Sequence, residues 1–202
     1  MLCAPDGTAI GTADKVDVHG PDTPLHLAFS CYVFDSAGDV LVSRRAYSKR
    51  TFPGVRTNSC CGHPAPGEPI DAAVRRRVHD ELGVDLDETT LILPRFRYRA
   101  VAADGVVENE LCPVYRAVTR DRTLRPDPVE VAAAWWVPWP EFARPTDAES
   151  KDDPLSAWGR EQLAELAPLG PDPLRWPAGD PGELPSAAAV VGHPAPGQPI
   201  TG

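Results

Sequence analysis

The chain has 202 residues, 42% of them apolar and 24% charged, which suits one soluble domain with its own core. A net charge of −9 argues against general nucleic-acid or acidic-membrane binding, and no run approaches the roughly 20 apolar residues of a membrane span. The start, Met1 to Asp6, carries no basic or apolar export signal, and the five cysteines (3, 31, 60, 61 and 112) include no Cys-x-x-Cys, so reduced thiols in a cytoplasmic protein are expected.

In chain order, residues 25–34 read as a mostly buried strand, rich in aromatic and aliphatic groups. Asp35 to Asp39 is a turn, and Val40 to Ser43 returns as the hairpin partner. From Val40 to Gly67 there are five basic residues (Arg44, Arg45, Lys49, Arg50 and Arg56) and no Asp or Glu. A solvated hairpin surface and a local anion site both fit that composition. Its position before the turn-forming stretch Thr57-Asn58-Ser59-Cys60-Cys61-Gly62-His63-Pro64 favours a phosphate-bearing ligand. Asp71 offers an N-cap for a helix running to about Leu82, with Gly83 placed to stop it. Strands are predicted over 95–100 and 108–118 around a turn at Asp104-Gly105, then over 132–137, and a closing helix over 156–166. This order predicts one compact mixed α/β domain over residues 1–167. Nine of the 24 prolines fall in residues 168–202, which read as a disordered tail. Within it, residues 192–200 repeat residues 62–70 with one change, Gln198 for Glu68.

Four groups carry candidate chemistry. On the predicted helix, Ile70, Val74, Val78 and Leu82 form one apolar stripe, and Glu81 falls inside it. A carboxylate there either reaches water from the edge of the stripe, pairs with Arg77 one turn earlier, or faces a metal or a charged ligand. Glu108 and Glu110 share one face of a strand. A solvent-facing edge suits a bare Glu-x-Glu pair, but if that face is buried a divalent cation is the usual answer. His19, His26 and His63 would complete a mixed nitrogen–oxygen metal site if they converge, although a lone strand histidine is more often a core residue. Cys60 and Cys61 point opposite ways in an extended segment. A thiol beside a metal and a basic cluster is expected to have a depressed pKa, and two small apolar fillers are the alternative.

Taken together, Leu25-His26-Leu27-Ala28-Phe29-Ser30, Pro53-Gly54-Val55, Thr57-Asn58-Ser59, Cys61-Gly62-His63-Pro64, Phe96-Arg97-Tyr98-Arg99-Ala100 and Val107-Glu108-Asn109-Glu110 with Cys112-Pro113 resemble the type I isopentenyl-diphosphate isomerases, a branch of the Nudix superfamily. The resemblance covers roughly residues 8–160 and implies a Nudix fold, a mixed β-sheet sandwiched between helices. The Nudix box maps onto Gly62, Glu68 and the run from Arg76 to Val84, with Arg77 and Asp80 in place of two glutamates that hydrolases use to gather metals. The resemblance implies a metal held by His19, His26, His63, Glu108 and Glu110, which could be Mn2+, Zn2+ or Mg2+. It implies a second ion, Mg2+, held by Glu81 and the diphosphate with help from the Cys61 carbonyl. Lys15, Arg45, Lys49 and Arg77 match diphosphate-holding positions. Cys61 and Glu110 match the catalytic pair on opposite faces of the alkene, Tyr98 a residue that hydrogen-bonds the glutamate, and Trp158 an aromatic over the cation. The implied partner is a small-molecule diphosphate, with no nucleic acid or membrane, acting on a monomer or weak dimer.

That assignment is chemically coherent. Moving an unactivated double bond adds a proton at one carbon and removes one from another through a tertiary carbocation, so the site needs an acid, an opposed base and exclusion of water. An indole face stabilises such a cation by ~2 kcal/mol once desolvated. The diphosphate supplies binding energy for positioning. A Nudix diphosphohydrolase and a non-catalytic diphosphate-binding protein are the rivals. The replaced box glutamates count against the first, and the intact Cys61, Glu110 and ligand positions against the second.

Overall fold

The computed structural model describes residues 1–13, 18–144, 153 and 155–188. The strands are β1 (Leu2–Cys3), β2 (Ala9–Gly11), β3 (His26–Leu27), β4 (Phe29–Phe34), β5 (Asp39–Arg45), β6 (Arg56–Thr57) and β7 (Cys60–Gly62), then after helix α1 (Ile70–Leu82) β8 (Glu88–Leu93), β9 (Arg97–Val101), β10 (Val107–Leu111), β11 (Val114–Val118) and β12 (Val131–Pro138). Helices α2 (Trp139–Phe142) and α3 (Ala157–Leu166) follow. One sheet has the order β2-β1-β3-β10-β9; the other runs β12-β5-β4-β11-β8, with β6 beside β5 and β7 beside β4.

Two segments predicted as single strands each pass from one sheet into the other. Residues 25–34 break at Ala28 into β3 and β4, and residues 108–118 break at Cys112-Pro113 into β10 and β11. Proline has no N–H to donate, so the ladder cannot run through Pro113. The Cys112 N–H turns to the Phe96 carbonyl (2.8 Å) instead. The two segments stay parallel through the crossing: Glu110 pairs with His26 and Leu111 with Leu27, then Val114 with Ser30. The Ala28 N–H donates to Leu111 O (2.8 Å) and the Ser30 N–H to Pro113 O (3.0 Å), which stitches the gap.

Strand alternation builds two cores. Phe29, Cys31 and Val33 of β4 pack with Val74, Val78 and Leu82 of α1. Tyr32 and Phe34 point the other way and pack with Trp139, Phe142, Trp158 and Leu166 of α2 and α3. Helices therefore cover both faces of the larger sheet, as expected of a Nudix fold. The α1 helix starts two residues earlier than an Asp71 N-cap predicts, with Pro69 at the N-cap; Asp71 instead lies in the first turn, near the positive end of the helix dipole. Gly83 ends it in the left-handed conformation (φ 67°), where a Cβ would also meet Arg125 at 2.6 Å. Strand β8 was not predicted; its Thr-Thr-Leu-Ile-Leu run between Asp87 and Pro94 pairs with β11.

The packed chain does not end at residue 167. Residues 168–188 run over the domain in short 3-10 turns, and Trp176 is buried edge-on against Trp139 (ring centroids 5.1 Å apart) and Phe34 (5.8 Å). Its indole N–H donates to Gly170 O (2.9 Å), Arg116 donates to Leu174 O (2.8 Å), the Gly179 N–H to Leu91 O (2.8 Å) and the Ala187 N–H to Gly7 O (2.9 Å). A proline-rich strap loses little backbone entropy on ordering and needs no periodic apolar pattern, so a reading based on periodicity classed it as disordered. The repeat at 192–200 lies outside the described residues. Among the described residues no helix is long and apolar enough to cross a membrane.

Trp176→Ala is expected to lower the unfolding free energy by about 3–5 kcal/mol, measured by denaturant titration. A change below about 1 kcal/mol, within the range of ordinary surface substitutions, would contradict the packing of the strap.

Candidate active site

The site forms where the two parallel segments leave one sheet for the other. Register sets His26 on β3 beside Glu110 on β10, and Glu110 opposite Tyr98 on β9. Glu108 and Glu110 are 6% and 5% exposed, so the buried alternative holds for the pair: β10 lies between β3 and β9, not at an edge. His63 follows β7 and His19 precedes β3. One ligand atom from each of His19, His26, His63 and Glu110 lies within 4.8 Å of the others. Glu108, the fifth expected ligand, is buried alongside but outside this group of four.

The donor set suits a cation. The Pro24 carbonyl can only accept, so His26 Nδ1 carries the proton and donates to it (2.9 Å). His26 Nε2 then faces Glu110 Oε1 at 3.5 Å, and His63 Nε2 lies 3.2 Å from the same oxygen. Among the described residues, His26 Nε2 and both ring nitrogens of His63 are buried with no hydrogen-bond partner. Electron-rich atoms aimed at one another require a positive charge between them, and imidazole plus carboxylate suits a borderline or hard divalent ion. The Pro24 carbonyl acts as the orienting outer partner such a ligand needs. Burial opposes charge on Glu110, yet His26 and His63 outweigh it and hold its carboxyl well below the usual range. His26 is the complement: burial lowers its pKa, but Glu110 prevails and raises it.

Tyr98 joins the two glutamates. Its hydroxyl lies 2.9 Å from Glu108 Oε2 and 2.8 Å from Glu110 Oε2, while Thr51 Oγ1 donates to Glu108 Oε1 (2.6 Å). A phenol has one proton, so it satisfies one carboxylate at a time unless the other is itself protonated. Burial and both glutamates push the Tyr98 hydroxyl far above its ordinary pKa and keep it a donor.

Cys61 enters from the other sheet, on β7 beside β4. Cys60 is buried in the core under α1 and Cys61 is partly exposed, but both line the cleft, so the two part less cleanly than expected. The depressed thiol pKa does not occur. Burial, aided by the Glu110 charge, pushes Cys61 up to about 12, so it stands as a neutral thiol at pH 7. Its Sγ lies 3.1 Å from Asn58 Oδ1 and 3.3 Å from Ser30 Oγ. The Asn58 amide nitrogen donates to Cys31 O and Cys60 O (both 3.0 Å), which fixes its oxygen as acceptor toward the thiol and toward the Trp158 indole N–H (3.2 Å). Gln162 Nε2 donates to Ser30 Oγ (2.8 Å), leaving the hydroxyl proton for Cys61 or Cys112, each 3.3 Å away. Asn58, Ser30 and Gln162 were given no role from the sequence; Asn58 and Ser30 each lie in a motif that carries the resemblance, and Gln162 carried no signal.

Trp158 closes the cleft, its ring 5.6 Å from that of Tyr98 and 5.4 Å from that of Phe52. The Arg45 guanidinium stands 5.7 Å over the indole and donates to Thr51 O (2.9 Å). Arg44 and Arg56 turn away to share Asp153, 2.5 and 3.3 Å from its oxygens. Of the basic stretch, Arg45 and Lys49 line the cleft, joined by Arg77 from α1. Glu81 is 7% exposed and pairs with Arg77. Burial raises its pKa and Arg77 pulls it down, with the net shift upward. Among the described residues, Arg77 Nε is buried with no hydrogen-bond partner. Glu68 and Arg76 of the box pair with each other away from the cleft (2.7 Å). Lys15 lies outside the described residues.

A model of the NUDIX domain matches residues 24–159. Of solved structures, a protein from Deinococcus radiodurans, DR0079, superposes with a TM-score of 0.61 over 82% of this chain and 97% of its own, at 19% identity. A MutT protein from Methanosarcina mazei gives 0.57 over 72% and 94%, at 16%. The chain belongs to the Nudix family. An isopentenyl-diphosphate Delta-isomerase of Saccharopolyspora erythraea is 52% identical over 95% of this chain and 97% of its own length. Another, of Mycolicibacterium vanbaalenii, is 54% identical over 84% and 92%. Within the Nudix family, the chain therefore belongs with the isopentenyl-diphosphate Delta-isomerases.

His26→Ala and Glu110→Gln are each expected to weaken Mn2+ or Zn2+ binding by more than about tenfold in equilibrium dialysis. Unchanged stoichiometry and affinity in both variants would show that the cluster is not a metal site.

Proposed function

We propose that the cleft interconverts isopentenyl diphosphate and dimethylallyl diphosphate, with Cys61 and Glu110 as the two proton-transfer groups. The observation that carries this reading is their placement: a neutral thiol from one sheet and a carboxylate from the other line one cleft. An alkene lying between them meets a proton source on one face and a proton acceptor on the other, as an allylic shift requires.

The surrounding residues have matching roles. Tyr98 holds Glu110 in place and shares a proton between it and Glu108. Asn58 and Ser30 orient the Cys61 sulfur, and Asn58 also orients Trp158. Trp158 lines the cleft, and its indole face would stabilise a tertiary carbocation by about 2 kcal/mol when water is excluded. Arg45, Lys49 and Arg77 hold the diphosphate, which fixes the alkene without taking part in bond changes.

Two divalent ions fit. His19, His26, His63 and Glu110, with Glu108 adjacent, would hold Mn2+, Zn2+ or Mg2+, and Glu81 would hold Mg2+ together with the diphosphate. When bound, the first ion supplies the charge that keeps Glu110 buried and adjusts its acidity, and the second neutralises the diphosphate. Arg77 and Asp80 replace two carboxylates of the hydrolytic box, which removes the means of gathering metals around an attacking water. The reaction belongs to isoprenoid biosynthesis, and a cytoplasmic enzyme working as a monomer or weak dimer is consistent with the chain.

The test is turnover in variants. Cys61→Ala and Glu110→Gln are expected to lose at least about 10³-fold in kcat, because each removes one member of an opposed pair. Cys60→Ala, at a buried thiol outside the Cys61–Glu110 pair, is expected to keep most of the activity. A larger loss for Cys60→Ala than for Cys61→Ala would assign the chemistry to the other thiol.

A further inference from the structure

Glu130 takes no part in the metal cluster or the acid–base pair, yet its carboxylate lies among the cations assigned to the diphosphate. Its Oε2 pairs with Lys49 Nζ, and its Oε1 lies 3.4 Å from Arg77 Nη2. Arg77 also pairs with Glu81, and all four residues line the cleft.

The backbone holds Glu130 there. The Asp127 N–H donates to Glu81 O (2.9 Å) and the Glu130 N–H to Asp127 O (3.0 Å), tying its turn to the end of α1. The Ala46 N–H donates to Glu130 O (2.9 Å), and the Lys49 N–H to Ala46 O (3.1 Å), tying the same turn to the one that carries Lys49. Among the described residues, two cations and two carboxylates thus meet in one corner of the cleft.

A purely attractive anion site would leave Lys49 and Arg77 without a resident carboxylate, since desolvated ion pairs contribute little net stability. We propose that Glu130 is an internal counter-anion that makes diphosphate binding dependent on the divalent ion. A bare diphosphate must displace Glu130 from Lys49 and Arg77 and then lie against the negative charge of both Glu130 and Glu81. A diphosphate carrying its divalent cation brings far less negative charge, and the cation meets the displaced carboxylates favourably. Glu130 thereby discriminates against free diphosphates and against small anions that carry no cation. This rests on reading the cleft as a diphosphate site.

Isothermal titration calorimetry with inorganic pyrophosphate, with and without Mg2+ (chelator replacing it), tests the proposal on the full chain. Relative to wild type, Glu130→Gln is expected to bind pyrophosphate about tenfold or more tightly in chelator, so the gain from Mg2+ shrinks by a similar factor. Glu130→Asp, which keeps the charge, is expected to retain the wild-type dependence. Unchanged or weaker binding by Glu130→Gln in chelator, with its thermal unfolding unaltered, would overturn the proposal. So would a loss confined to the Mg2+ condition, which would make Glu130 a ligand of the ion rather than a counter-anion. Wild type that binds no pyrophosphate in either condition would instead sink the diphosphate reading beneath it.

Discussion

The buried charge of Glu110 is the constraint on which the site depends. Its carboxyl lies beside Glu108 on one strand, both nearly inaccessible, with a single phenolic proton between them. Two carboxylates that close cannot remain ionised in the interior without positive charge next to them. Three imidazoles converge on Glu110 from outside β10, and one of them, His26, is locked by a backbone carbonyl with its Nε2 facing inward. The same carboxylates that would be a liability in an ordinary core become a place to hold a cation and manage a proton.

The crossing of two parallel segments turns this constraint into a catalytic geometry. Because 25–34 and 107–118 leave one sheet for the other at the same level, a cleft opens at the point of divergence. The five-stranded sheet contributes the carboxylates, and the seven-stranded sheet contributes Cys61 and Ser30. Helix α3 supplies Trp158 over the gap and, one turn on, Gln162, which anchors that helix to β4 through Ser30 and Tyr32. Stability and chemistry therefore share residues here: the hydrogen bonds that fix α3 also fix what faces the thiol.

Much of the site was legible in the sequence because it lies in contiguous motifs. The Cys-Cys-Gly-His turn and the Glu-x-Glu strand mark candidate chemistry by residue type and spacing, and Glu81 on the apolar face of α1 marks a buried charge that needs a partner. What failed was whatever depends on the third dimension. Strand alternation cannot reveal that a strand changes sheets, although Pro113 marks where one must. The thiol acidity went the wrong way because adjacent charges were weighed without burial, which dominates at Cys61. The strap through Trp176 was hidden because its order comes from single anchors and capped carbonyls. Glu130 and Gln162 carry no local signal, since each acts on residues far away in the chain.

The most direct measurement is proton NMR of isopentenyl diphosphate incubated with the protein and Mg2+ in D2O. The expected result is metal-dependent conversion to dimethylallyl diphosphate with solvent deuterium in the allylic product, as an acid and a base acting across the alkene require. Release of inorganic phosphate without formation of the isomer would contradict it.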